Sequence, residues 1–220
     1  MASKYSEPEL LVAEWIGPYR LDEAPDKCDI SELAEAVYVV FGRHKRLSYW
    51  PLWFETRWVR RIFETRSFTE STRATRWPLQ YIGIGNDPCD RANAKSHEHL
   101  KHLDPKRSYV WYAKPVVQVA PDRRTAVGWP TSVYALEKCL IFLIKPRRNQ
   151  TERDQSSAPL ITAWCRIPGS AGIKSKYRAM AARLPASIRF DPSKEAVIEF
   201  HGGIPERHVR LRLNNGKIVA

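Results

Sequence analysis

Long hydrophobic runs are missing from this chain. Leu140–Ile144 is apolar but falls far short of the roughly 20 residues that cross a bilayer as a helix, so no membrane partner is expected. Cysteine is scarce too: Cys28, Cys89, Cys139 and Cys165 stand far apart and form no CxxC pair. That spacing argues against a closed zinc site and against a disulfide framework in 220 residues; reduced thiols in a cytoplasmic protein are the simplest expectation. Near the start, Glu7, Glu9 and Glu14 interrupt the continuous apolar core that a signal peptide needs. The sequence also lacks internal repeats and low-complexity tracts.

What the chain has in excess is positive charge. A net charge of +12 and a pI of about 9.7 point to an anionic partner, nucleic acid before an acidic membrane surface. A length of 220 residues is enough for one domain with a full core, or for one domain with sizeable additions, and 43% hydrophobic residues make disorder not the default.

Patterning predicts a short amphipathic helix over Glu9–Ile16, opened by Ser6 and Pro8 and stopped by Gly17-Pro18. Ala36–Phe41 has the composition of a short buried strand, and Gly42 ends it. Residues 43–77 are rich in arginine and large aromatics; within them Leu52–Phe63 has helical spacing, with Phe54, Trp58 and Ile62 on one face. Leu79–Ile84 predicts a second strand, and Asp87-Pro88 a helix start that puts Arg91 in its first turns. Tyr109–Val119 predicts a third strand, with Pro115 marking an edge or a bend. Thr131–Ile144 is the clearest helix, stopped by Lys145-Pro146. Past a polar loop at 150–158, strand-like runs recur at Leu160–Ile167, Ala196–Phe200 and His208–Leu213, followed by the hairpin signal Asn215-Gly216.

Five residues stand out by their order. Tyr38 ends Ala36-Val37-Tyr38, Tyr81 opens Tyr81-Ile82-Gly83, and Arg91 follows ten residues later. Glu137 ends Ala135-Leu136-Glu137, and Asn149 follows Lys145-Pro146-Arg147-Arg148. Each residue type is common, but the order and context are not. Over about residues 36–149 the series resembles the GIY-YIG nuclease superfamily, most like its type II restriction endonuclease branch. The resemblance implies an α+β fold: a small antiparallel β-sheet, with the two tyrosine strands side by side, flanked by helices. The chain would then divide into an N-terminal extension (1–35), a nuclease core (36–149, with an insertion at 43–77) and a β-rich C-terminal extension (150–220) that contacts DNA or dimerises.

Hydrolysis of a phosphodiester needs an activated water, charge neutralisation on the phosphate and help for the leaving oxygen. The resemblance implies that Tyr38 positions or deprotonates the water, Tyr81 orders the site through its hydroxyl, and Arg91 holds the scissile phosphate. It implies that Glu137 binds one divalent cation, Mg2+ or Mn2+, and that Asn149 braces the site. A tyrosine titrates near about 10, so Tyr38 needs nearby positive charge to act as a base. The chain departs from the family pattern in three places. Ala-Val-Tyr replaces Gly-Ile-Tyr, and the segment between the tyrosine motifs is much longer than the usual hairpin. Lys95 stands one turn after Arg91, where many members carry histidine or tyrosine. Lys95 would contact phosphate or lower the pKa of Tyr38; His97 would be the base instead if that helix ends early.

Arg43, Lys45 and Arg46 follow the first strand and are expected to face solvent near DNA; Arg57, Arg60 and Arg61 lie off the apolar face of the insertion. The insertion's tryptophans are better read as packing residues than as base-stacking ones. Lys174, Lys176, Arg178, Arg207, Arg210 and Arg212 in the tail either contact DNA or form a solvated face. A duplex cutter with one site per chain is expected to work as a homodimer. The expectation is therefore a magnesium-dependent endonuclease acting on double-stranded DNA. Its alternatives are a structure-selective repair or mobile-element nuclease and a catalytically silent nucleic-acid-binding protein of the same fold.

Overall fold

A computed structural model describes residues 8–27, 35–43, 45, 79–85, 97–119, 122–146, 148–149, 155–169, 173–202 and 208–219. The helices expected at 52–63 and after Asp87 lie outside these residues, and so do Arg46, Arg57, Arg60, Arg61, Arg91 and Lys95. Among the described residues one mostly antiparallel sheet contains β1 (Glu9–Arg20), β2 (Ala36–Phe41), β3 (Leu79–Gly85), β4 (Tyr109–Gln118), β5 (Ile161–Arg166), β6 (Pro185–Asp191), β7 (Glu195–Phe200), β8 (His208–Asn214) and β9 (Lys217–Ile218). Their spatial order is β3-β2-β4-β1-β5-β6-β7-β8-β9. Among the described residues, three α-helices accompany them, α1 (Ala24–Lys27), α2 (Thr131–Ile144) and α3 (Ser175–Ala181), with a 3-10 turn at Pro105–Arg107.

The sheet is not small, and the reason lies in β1. Residues 9–20 form a strand, not the expected helix. Leu11 and Trp15 are four residues apart, which suits one face of a helix and one face of a strand alike. Pairing decides between them. Leu11, Ala13 and Trp15 alternate inward, while the backbone bonds β4 antiparallel on one side and β5 parallel on the other. Thus β1 joins the tyrosine-bearing strands to those of the tail. Pro115 sits where β4 has run past its last β2 partner, Ala113, and at a register shift against β1, so its missing N–H disrupts little.

The tail strands expected from the sequence correspond to β5, β7 and β8; β6 and α3 were not foreseen. Asn215 and Gly216 take positive φ values of 50° and 74° in the turn between β8 and β9, as a tight Asn-Gly hairpin requires.

The two faces of the β3-β2-β4 end are covered differently. On one, α2 packs over Val37, Val39, Phe41, Ile82, Ile84 and Trp111 in the main core. Its last turn closes with Lys145 in the left-handed region, whose N–H bonds Ile141 O at 2.9 Å, and Pro146 prevents continuation. On the other face, Tyr38, Val40 and Tyr112 pack with Leu21, Ala24, Leu100 and Leu103. All of β2 is consequently buried, as its uninterrupted apolar run demands. Among the described residues, no helix is long and apolar enough to cross a membrane.

Candidate functional site

Alternation along β2 sends Tyr38 to the face opposite Val37 and Val39. Its cross-strand partner on β3 is Gly83. The phenol ring lies over that glycine: a Cβ there would fall 2.6 Å from Tyr38 Cζ and Oη and 2.7 Å from Tyr81 Cε1. The glycine of Tyr81-Ile82-Gly83 is therefore a space requirement. Tyr81 sits beside Tyr38 with ring centroids 5.9 Å apart.

Just before β4, the turn beginning at His97 brings two imidazoles onto this pair. Tyr38 Oη lies 3.1 Å from His97 Nε2. The Tyr81 ring meets His97 edge-on at 4.9 Å and stacks on His99 at 5.3 Å with a 22° interplanar angle. The turn is fixed by bonds from Leu100 N and Lys101 N to His97 O, and by the buried side chains of Leu100 and Leu103. Tyr38 itself is 1% exposed, whereas Tyr81, His97 and His99 are partly exposed. His99 carries no signal in the sequence, because a His-x-His spacing cannot show that both rings meet Tyr81.

Asn149 is a brace. Its Oδ1 accepts from Ile82 N at 2.9 Å and its Nδ2 donates to Ile82 O at 2.8 Å. An amide side chain thus pairs with the edge strand β3 as a neighbouring strand would. The bond from Arg148 N to Gln80 O (2.9 Å) extends this pairing. Ile82 stands between Tyr81 and Gly83, so the segment after α2 holds the strand that carries the site.

Glu137 is buried on α2, which packs on the face opposite Tyr38 and Tyr81. The described contacts therefore group Tyr38, Tyr81 and His97 and attach Asn149 to their strand. Arg43 was expected to face solvent, but it is 6% exposed; its carbonyl accepts from Asp104 N because the chain folds back along the 102–104 turn. Lys45 is exposed, with its N–H on His102 O at 2.8 Å. Among the described residues, no group of three or more His, Cys, Asp or Glu could cage a metal ion. A magnesium ion needs less than that. It keeps several waters and takes one or two carboxylates, so the Glu137 carboxylate, 9% exposed, is a donor of the right type for it.

No protein-family model, no curated protein and no solved structure matches this chain.

Proposed function

We propose that this chain is a divalent-metal-dependent endonuclease acting on duplex DNA, of type II restriction character. The observation that carries the reading is the Tyr38 hydroxyl, bonded to His97, set over Gly83 and flanked by Tyr81. One imidazole meets the Tyr38 hydroxyl and two meet the Tyr81 ring, so titratable groups gather at this point of the sheet. In this reading Tyr38 orients and activates the attacking water, and Tyr81 fixes the Tyr38 ring. Asn149 keeps β3 in register, and the surplus of positive charge draws in the DNA. Arg91 is assigned to the scissile phosphate. Glu137 would hold the magnesium or manganese ion, which when bound neutralises charge on the phosphate. Because Tyr38 is closed over, substrate must approach past Tyr81, His97 and His99.

That burial also favours a second reading, a nucleic-acid-binding protein with a silent site. One experiment separates them: purified protein and Glu137→Ala are each incubated with long unmethylated duplex DNA, in magnesium and in chelator. Discrete magnesium-dependent fragments, absent with Glu137→Ala, are expected. DNA binding without cleavage of that duplex or of branched DNA would leave the silent reading standing.

A further inference from the structure

We propose that His97 is a hydrogen-bond donor of fixed tautomer that holds the Tyr38 oxygen, a positioning residue and not a base. What Tyr38 then does rests on the nuclease reading above; the tautomer does not. The backbone N–H of His99 donates to His97 Nδ1 at 3.2 Å. An amide N–H can only donate, so Nδ1 must present its lone pair. A neutral imidazole then carries its one proton on the other nitrogen. That nitrogen is Nε2, 3.1 Å from Tyr38 Oη, and its N–H donates to the phenol oxygen.

Two consequences follow. Nε2 has no lone pair left, so His97 cannot take the Tyr38 proton while the His99 bond stands; the hydroxyl hydrogen of Tyr38 points to another acceptor. A donor aimed at the oxygen also fixes where its remaining lone pair faces. The ring is not free to choose otherwise. Turning it over would break both bonds at once, and Tyr81 and His99 press on it at centroid distances of 4.9 Å and 5.7 Å. The His99 N–H is itself held in the turn whose next residue, Leu100, is fully buried beside Tyr38.

The first test needs no substrate. Long-range hydrogen–nitrogen NMR of the full chain with labelled histidine reads the tautomer of each ring, and the His97 signals are identified by their loss in His97→Gln. Protonation at Nε2 near neutral pH is expected; protonation at Nδ1 overturns the proposal. The second test is cleavage of duplex DNA in magnesium. His97→Gln carries an amide N–H that reaches towards Tyr38 but cannot take up a proton, and it is expected to keep kcat within about tenfold. His97→Asn can still accept from the His99 N–H but falls short of Tyr38, and it is expected to lose about 100-fold in kcat with little change in KM. A Gln variant as inactive as the Asn variant overturns the donor role. If the wild-type protein cuts no DNA at all, the nuclease reading fails, and the NMR result still decides the tautomer.

Discussion

At the β3-β2-β4 end the sheet is covered on both faces, whereas β5 shows one face of its strand to solvent. In β2 every residue is buried; in β5, Ile161, Ala163 and Cys165 point inward while Trp164 and Arg166 are exposed. Polar groups behave differently in the two settings. On the open face Arg166 pairs with Glu14, and Arg189 and Arg210 both pair with Glu195. Such pairs sit in water and contribute less than about 1 kcal/mol each. Between two covered faces, a hydroxyl or amide left unbonded costs about 1–3 kcal/mol, so a partner of defined geometry contributes more there than a surface pair does. Tyr38 and Asn149 have such partners, in His97 and the Ile82 backbone. The doubly covered end therefore holds Tyr38 and Asn149 each in one place. That difference, more than residue type, makes the tyrosine end the better place for chemistry.

Two glycines offer the strongest way to break this comparison. Gly83→Ala places a methyl group against Tyr38 and Tyr81, whereas Gly169 has a φ of 62° and open space around it. At Gly83 we expect cleavage to fall by about 100-fold or more and stability by about 1–3 kcal/mol, as overpacking does in a core. At Gly169 we expect only the backbone strain of an alanine at positive φ, about 1 kcal/mol, with cleavage intact. Urea unfolding and magnesium-dependent cleavage of the two variants, run side by side, decide this. Equal effects at the two glycines would mean that the Tyr38 position is not what Gly83 protects.

Asn149→Ala comes next. It strips both partners from Ile82 at the sheet edge, and about 2 kcal/mol should be lost. Asn149→Asp keeps the acceptor and loses the donor, so it should fall between wild type and Ala. Hydrogen exchange at the Ile82 amide should quicken in Ala and stay slow in Asp; quickening in neither would show that water replaces the side chain without loss. On the open face, Arg166→Ala should cost less than about 1 kcal/mol, measured as a shift in urea midpoint. A larger loss would show that the Glu14 pair is not a solvated surface contact.

The same contrast explains what could be read from the sequence. The continuous apolar run Ala36–Phe41, ended by Gly42, identified the doubly covered strand, and the apolar residues of Thr131–Ile144 with the Lys145-Pro146 stop identified the helix that packs on it. Strand alternation was clear in β5, β7 and β8, where one face is wet. Glu9–Ile16 misled because Leu11 and Trp15 satisfy both periods, and only the neighbours β4 and β5, one of them about 150 residues away, select the strand. Arg43 misled because charge predicts exposure, while its carbonyl is needed by Asp104 in a turn far along the chain. For the site, residue order picked out Tyr38, Tyr81 and Asn149. The contacts of His97 and His99 were not legible, because they depend on a turn anchored by Leu100 and Leu103 and not on any spacing.

The smallest effect compares two histidines. His97 is held by hydrogen bonds at the tyrosine end; His201, after β7, is held mainly by burial. Burial pushes the His201 pKa below its ordinary 6.5, and the backbone of Cys165 and Pro185 offsets this only in part. The unfolded chain then binds a proton that the folded chain resists, so protonation favours unfolding. The contribution is fully present above about pH 6.5, the unfolded value, and is lost as pH falls through the lower folded value. Urea midpoints should therefore decline gently from neutral pH to about pH 5, and His201→Asn should flatten part of that slope. An unchanged slope in His201→Asn would assign the pH dependence to other groups and remove desolvation at the tail end of the sheet as its cause.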